Sequence, residues 1–141
     1  MAGNLTPEQL TAAVAEGSID TVILGFADAP GRLVGKRVAG RYFVEEVMGH
    51  GAEACNYLLS VDVDLNTMDG YAMSSWEKGY GDMMLVPDLA SMRRIPWLDG
   101  SALVIADLRW ENGDPVKQAP RSVLDAQRDR LKDRGLIAYA G

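Results

Sequence analysis

Between Asn66 and Met83 the sequence runs Asn-Thr-Met-Asp-Gly-Tyr-Ala-Met-Ser-Ser-Trp-Glu-Lys-Gly-Tyr-Gly-Asp-Met. One carboxylate, Asp69, stands before a flexible glycine, Gly70, and is followed by the aromatic residues Tyr71, Trp76 and Tyr80. A carboxylate supplies negative charge and aromatic faces attract ammonium groups, so this combination suits a cation or amine site. The same rings would equally serve as the packed interior of an Ω-loop. Residue types alone leave both readings open. The stretch shows no periodicity, and loops this long inside a compact domain are functional or disordered. Its aromatic content argues against disorder.

Three other constellations carry less. Gly31-Arg-Leu-Val-Gly35-Lys36-Arg37 approaches a phosphate-binding loop, but it has three residues between the glycines where four are needed. Arg37 also stands where Ser or Thr would hold magnesium, and the segment lies on a hairpin rather than between a strand and a helix. Asp62-Val-Asp64-Leu-Asn66-Thr67 begins like a calcium loop, yet Thr67 replaces the required glycine and Met73 the closing glutamate. Asp62 and Asp64 are expected instead on one face of a strand, as a solvated or ion-paired edge. His50, the one histidine, and Cys55 are two ligands where zinc needs at least three. As a nucleophile pair they are opposed by the apolar setting of Cys55, which suits a small core residue. No residues are assigned to a metal.

The elements that must position the loop are legible from local signals. Thr6-Pro7-Glu8 starts a helix with a hydroxyl cap, a proline in the first turn and an acid, and Gly17 ends it. Residues 21–26 and 33–38 read as a hairpin around Asp28-Ala-Pro-Gly31. Residues 41–48 have helical spacing, closed by Gly49 and Gly51. Strands are expected over 57–64, over 83–86 up to Pro87-Asp88, and over 101–110; Ile95-Pro96-Trp97 is extended. Asn112-Gly113 is a turn. Residues 121–134 form an amphipathic helix with Val123, Leu124, Gln127 and Leu131 on one face, stopped at Gly135, and 136–140 begins a further strand. Helices and strands mix without a regular βαβ alternation, which points to an α+β fold.

With 141 residues, 48% hydrophobic and 24% charged, the chain has ordinary globular composition. Its net charge of -6 argues against nucleic acid or an anionic membrane as partner, because phosphate recognition needs a basic footprint. The single cysteine cannot form an internal disulfide and fits a reducing compartment. The sequence has neither an 18-residue apolar run nor the features of a secretory leader, so a cytoplasmic protein is expected.

The loop resembles that of the glutamine synthetase family, whose amino-terminal β-grasp domain carries an Asp-Gly-Ser-Ser motif. There a Trp or Phe follows the Asp by seven positions, and an Asp-Met opens the next strand. Here Asp69 and Trp76 are seven positions apart, and Asp82-Met83-Met84-Leu85-Val86-Pro87-Asp88 matches the strand. Asp28-Ala-Pro-Gly-Arg32-Leu-Val-Gly-Lys36 is similar to the family's first hairpin, and Pro120-Arg121-Ser122 to the start of its first catalytic-domain helix. These matches run in order from about residue 20 onward.

The resemblance implies a β-grasp domain over residues 1–118, followed over 119–141 by the first helix and strand of a truncated catalytic domain. It implies an ATP-dependent ligase that joins glutamate to ammonia or a small amine, working as a homo-oligomeric ring. Asp69 would lend its carboxylate to the neighbouring subunit's active site, binding ammonium and favouring its deprotonation. Asp69 is thus the expected catalytic residue, with Tyr71 and Trp76 as further substrate-binding positions and Trp76 also a loop anchor. ATP and Mg2+ or Mn2+ are expected for the full-length enzyme, with no cofactor bound by this segment, so the 141 residues alone are expected to be inactive. Two departures stand out: Tyr71-Ala72 replaces Ser-Ser, and one residue fewer separates Trp76 from Asp82. They imply a changed amine pocket and the family's branches that ligate larger amines. The competing expectation is a stand-alone β-grasp interaction module.

Overall fold

The computed structural model describes residues 3–74, 77 and 79–139. The first helix, Pro7–Ala15, is nucleated as its sequence dictates. Thr6 Oγ1 accepts from the Gln9 amide while Gln9 Oε1 accepts from the Thr6 amide, a reciprocal cap. Two strands follow, β1 (Thr21–Ala27) and β2 (Leu33–Ala39), paired antiparallel through the turn at Asp28–Arg32. A second helix spans residues 40–50, and its middle, Phe43–Val47, widens into a π-turn. It runs through Gly49 and breaks at Gly51, whose φ is +78°.

Then come β3 (Ala52–Cys55), β4 (Asp82–Arg94) and β5 (Ser101–Arg109). Among the described residues these strands form one mixed sheet in the order β2-β1-β5-β4-β3. Only the central pair, β1 with β5, is parallel, setting Thr21 opposite Ser101 and Gly25 opposite Ile105. The α+β class is therefore observed.

The core lies on one face of this sheet. Val22, Leu24 and Phe26 of β1 alternate inward, as do Ala102, Val104, Ala106 and Leu108 of β5 and Met83 and Leu85 of β4. Against them pack Leu10 from the first helix and Phe43 and Val47 from the second, all fully buried. Each large side chain removed from water in this way contributes about 1.5–3 kcal/mol.

Several expectations are corrected. The strand read over 57–64 is not one: pairing ends at Cys55, and a 3-10 turn, Asn56–Leu59, follows. Asn56 bonds both ways with Gly81, its amide to the Gly81 carbonyl (2.9 Å) and its Oδ1 from the Gly81 amide (3.3 Å). The two ends of the intervening segment are thereby drawn together, and Leu59 and Val61 are buried without a regular ladder. The strand read over 83–86 does not stop at Pro87 but continues to Arg94, with an irregularity in register between Asp88 and Arg93. Proline is tolerated there because β3 accompanies β4 only as far as Leu85, leaving that side an open edge. The turn that follows carries Trp97, 84% exposed, rather than an extended segment.

A further correction concerns the strand read over 136–140. The last helix before it, Pro120–Lys132, forms close to its expected bounds, with none of its residues buried and Val123 and Leu124 facing solvent. It is held by Arg121, which meets Asp88 Oδ2 at 2.9 Å and Asp107 Oδ1 at 2.8 Å. Residues 136–139 pair with no strand among the described residues, and Ile137 and Tyr139 are almost fully exposed.

Candidate functional site

The segment between β3 and β4 is anchored at its base and bare at its tip. At the base, Asn56 holds Gly81 on one side and reaches toward the Met73 carbonyl with Nδ2 (3.5 Å) on the other. Ser60 and Ser74, both buried, share a hydroxyl–hydroxyl bond of 2.7 Å. Tyr57 and Tyr80 meet edge to face with ring centres 6.0 Å apart. The rings thus divide between both readings of the loop. Tyr80 packs at the base, whereas Tyr71 is 44% exposed near the tip.

The first limb folds back on itself. Val61 bridges Thr67, the Asp62 amide donates to the Asn66 carbonyl (2.9 Å), and the Met68 amide donates to the Ser60 carbonyl (3.0 Å). Asp62 caps this turn: Oδ1 accepts from the amides of Asp64 (2.8 Å) and Asn66 (2.9 Å), and Oδ2 from Asn66 Nδ2 (3.1 Å). These bonds, the Asn66 side chain's foremost, with Arg32 nearby, hold the Asp62 carboxyl below its ordinary range. Asp62 and Asp64 therefore lie on a tight turn, not along a strand face. Both oxygens of Asp62 are committed to N–H donors rather than turned toward a cation.

Asp69 follows Met68 directly, so it emerges one residue beyond the last backbone bond of this turn. It is exposed, and Gly70 after it has φ +92°, a left-handed conformation that glycine adopts without strain. Asp69, Gly70 and Tyr71 thus form an exposed run at the tip. Trp76, the expected anchor and third binding position, lies outside the described residues. A carboxylate held this way stays hydrated and available, able to attract a cationic amine and to accept its proton.

The remaining sequence candidates are not brought together. His50 ends the second helix exposed, its Nδ1 3.2 Å from the Glu46 carbonyl, while Cys55 is half-buried at the end of β3. The Gly31–Lys36 stretch sits on the β1–β2 hairpin. Among the described residues, no three His, Cys, Asp or Glu side chains converge as metal ligands, so no step is assigned to a metal held by them. No described helix is long and apolar enough to cross a membrane.

What sequence reasoning missed is Arg32. Its Nε and its backbone amide each lie 2.7 Å from a carboxylate oxygen of Asp28, which is fully buried. Its guanidinium also reaches the Val63 carbonyl and, at 3.1 Å, the Asp62 carbonyl. Asp and Arg four residues apart across Pro-Gly were a local signal for the turn. Nothing local gave the contact about thirty residues away.

No family model matches the chain. It is 56% identical over 134 residues to a γ-glutamylethanolamide synthetase of Streptomyces coelicolor, covering 95% of this chain and 29% of that protein. It is 33% identical to a glutamate–isopropylamine ligase of a Pseudomonas species, over 87% of this chain and 27% of that one. The chain therefore spans under a third of each relative's length. Among solved structures, a novel glutamine synthase homolog superposes with a TM-score of 0.67 at 24% identity, over 82% of this chain and 27% of its own. At that identity the likeness is one of fold.

Proposed function

Because this chain belongs to the glutamine synthetase family, we propose that it is the amino-terminal, β-grasp part of an ATP-dependent ligase joining glutamate to an amine. The observation that supports this most is Asp69, exposed at the tip of a loop whose base is fixed. The two relatives, one named for a γ-glutamylethanolamide product and one for an isopropylamine substrate, favour a small organic amine over ammonia, in keeping with Tyr71-Ala72 at the tip. Residues 1–118 are read as the β-grasp domain and 119–141 as the start of the catalytic domain, in a cytoplasmic protein.

In this reading Asp69 reaches into the active site of a neighbouring subunit in a homo-oligomeric ring. The incoming amine is a cation at neutral pH, with its lone pair tied up by a proton. Asp69 attracts that cation and takes the proton, freeing the lone pair to attack the activated γ-carbonyl of glutamate. Tyr71 and Trp76 would flank the amine and set which substituent it can carry. ATP with Mg2+ or Mn2+ would supply the activation, on the larger part of the enzyme that this chain does not span.

The test is Asp69→Asn in the full-length enzyme, with steady-state kinetics for each substrate. Turnover should fall by about 10²–10⁴-fold, the usual contribution of a general base, while KM for ATP and glutamate stays within about twofold. Asp64→Asn is the control, since Asp64 joins the turn through its backbone amide. An Asp69→Asn enzyme turning over like the control would refute the role given to this loop.

A further inference from the structure

We propose that Arg32 is a positioning residue for the amine site, latching the limb that delivers Asp69 onto the β1–β2 hairpin. The inference rests on the role given to Asp69 above. Arg32 lies at the hairpin turn, and its Nε bonds the carboxylate of Asp28, which is wholly removed from water. A buried carboxylate is tolerated only when paired and hydrogen-bonded, so the pair fixes the direction of the guanidinium. The remaining nitrogens then point one way, to the carbonyls of Asp62 and Val63.

Those carbonyls sit at the head of the turn that Asp62 caps from within. The turn is under strain: Leu65 has φ +66°, a left-handed conformation unusual for a residue with a branched side chain, and its amide donates to the Asp62 carbonyl. Such a conformation persists where its surroundings over-determine it. Among the described residues, the side-chain hydrogen bonds from the hairpin to this turn come from Arg32, whereas the bonds to the Asp62 carboxylate are all within the turn itself. The path from hairpin to Asp69 is continuous: Arg32 to the Asp62 and Val63 carbonyls, the Val61–Thr67 bridge, the Met68 amide bond, then Asp69. Lysine could not reproduce it, because one ammonium cannot serve Asp28 and two diverging carbonyls with a fixed planar fork.

Arg32→Ala and Arg32→Lys in the full-length enzyme test this, with Asp69→Asn run alongside. Backbone hydrogen exchange is read at Asn66 and Met68 and, as internal reference, at Val104 in β5. With Arg32→Ala the turn amides should exchange about tenfold faster or more while Val104 is unchanged, as expected for loss of a local restraint. The amine KM should rise, or amine-step turnover fall, about tenfold, with KM for ATP and glutamate unmoved and Arg32→Lys intermediate. Unchanged turn exchange overturns the proposal, as does faster exchange with wild-type amine kinetics. If either occurs while Asp69→Asn remains impaired, the latch fails and the role of Asp69 stands. A fully active Asp69→Asn enzyme overturns both. Should Arg32→Ala fail to fold, Arg32→Lys alone decides between these outcomes.

Discussion

A carboxylate can matter through the protons it refuses as much as through those it accepts, and Asp62 illustrates this. Donors from Asn66 and Asp64, together with Arg32, favour its ionised form and lower its pKa below the ordinary value of about 3.9. A lowered folded-state pKa means the turn's contribution is complete above the ordinary carboxylate range and is lost as pH falls through the lowered value. An NMR titration of the Asp62 carboxyl should therefore place its midpoint below that of an exposed aspartate, and the Asn66 amide should shift with it. A midpoint at or above about 3.9 would contradict the cap. At this scale the sequence was half legible. The types around Asp69 suit an amine site and a packed loop equally, and Asp62 and Asp64 read as a strand edge once the calcium-loop spacing fails. Oxygen-rich turns and calcium loops share such spacing, and only the fold shows that the oxygens of Asp62 face N–H groups. The reach of Arg32 across to the Asp62 and Val63 carbonyls could not be read, because those partners lie about thirty residues on and any residue could supply them.

Strands are legible where alternation is long and pairing local. β1 and β5 emerge from sequence close to their observed bounds because their inward residues recur every second position, and β2 because the turn at Asp28–Arg32 pairs it directly with β1. β3 was misplaced because it is four residues long and two of them are alanine, while the more apolar Tyr57-Leu58-Leu59 next to it forms a helical turn. Within the hairpin, Gly35 fits a close approach between strands. A Cβ there would lie 2.0 Å from the Leu24 carbonyl oxygen, which is backbone and cannot swing aside. Gly35→Ala should therefore destabilise the protein by about 1–3 kcal/mol, the cost of overpacking, measured by chemical denaturation. A change under about 0.5 kcal/mol, the scale of an ordinary surface substitution, would mean the strands can part freely at this point.

For the molecule as a whole, the last helix is attached through chemistry rather than burial. Arg121 spans Asp88 on β4 and Asp107 on β5, with about a third of each side chain still reached by water, so screening limits its strength. Arg121→Ala should speed amide exchange along residues 123–132, while global stability changes by no more than about 1 kcal/mol. Exchange in the helix indistinguishable from wild type would show that something other than Arg121 holds it. The parallel union of β1 with β5 bears on how such a chain comes to be made. β1 leaves the ribosome early, yet its inner neighbour follows about 80 residues later, and a loop of that length must close before the two can meet. In the meantime the β1–β2 ribbon and the β3–β4 pair each present an unfilled edge. The last of these five strands in chain order, β5, is the one that seats between them, so the nascent chain passes through a stage of exposed edges before this sheet closes.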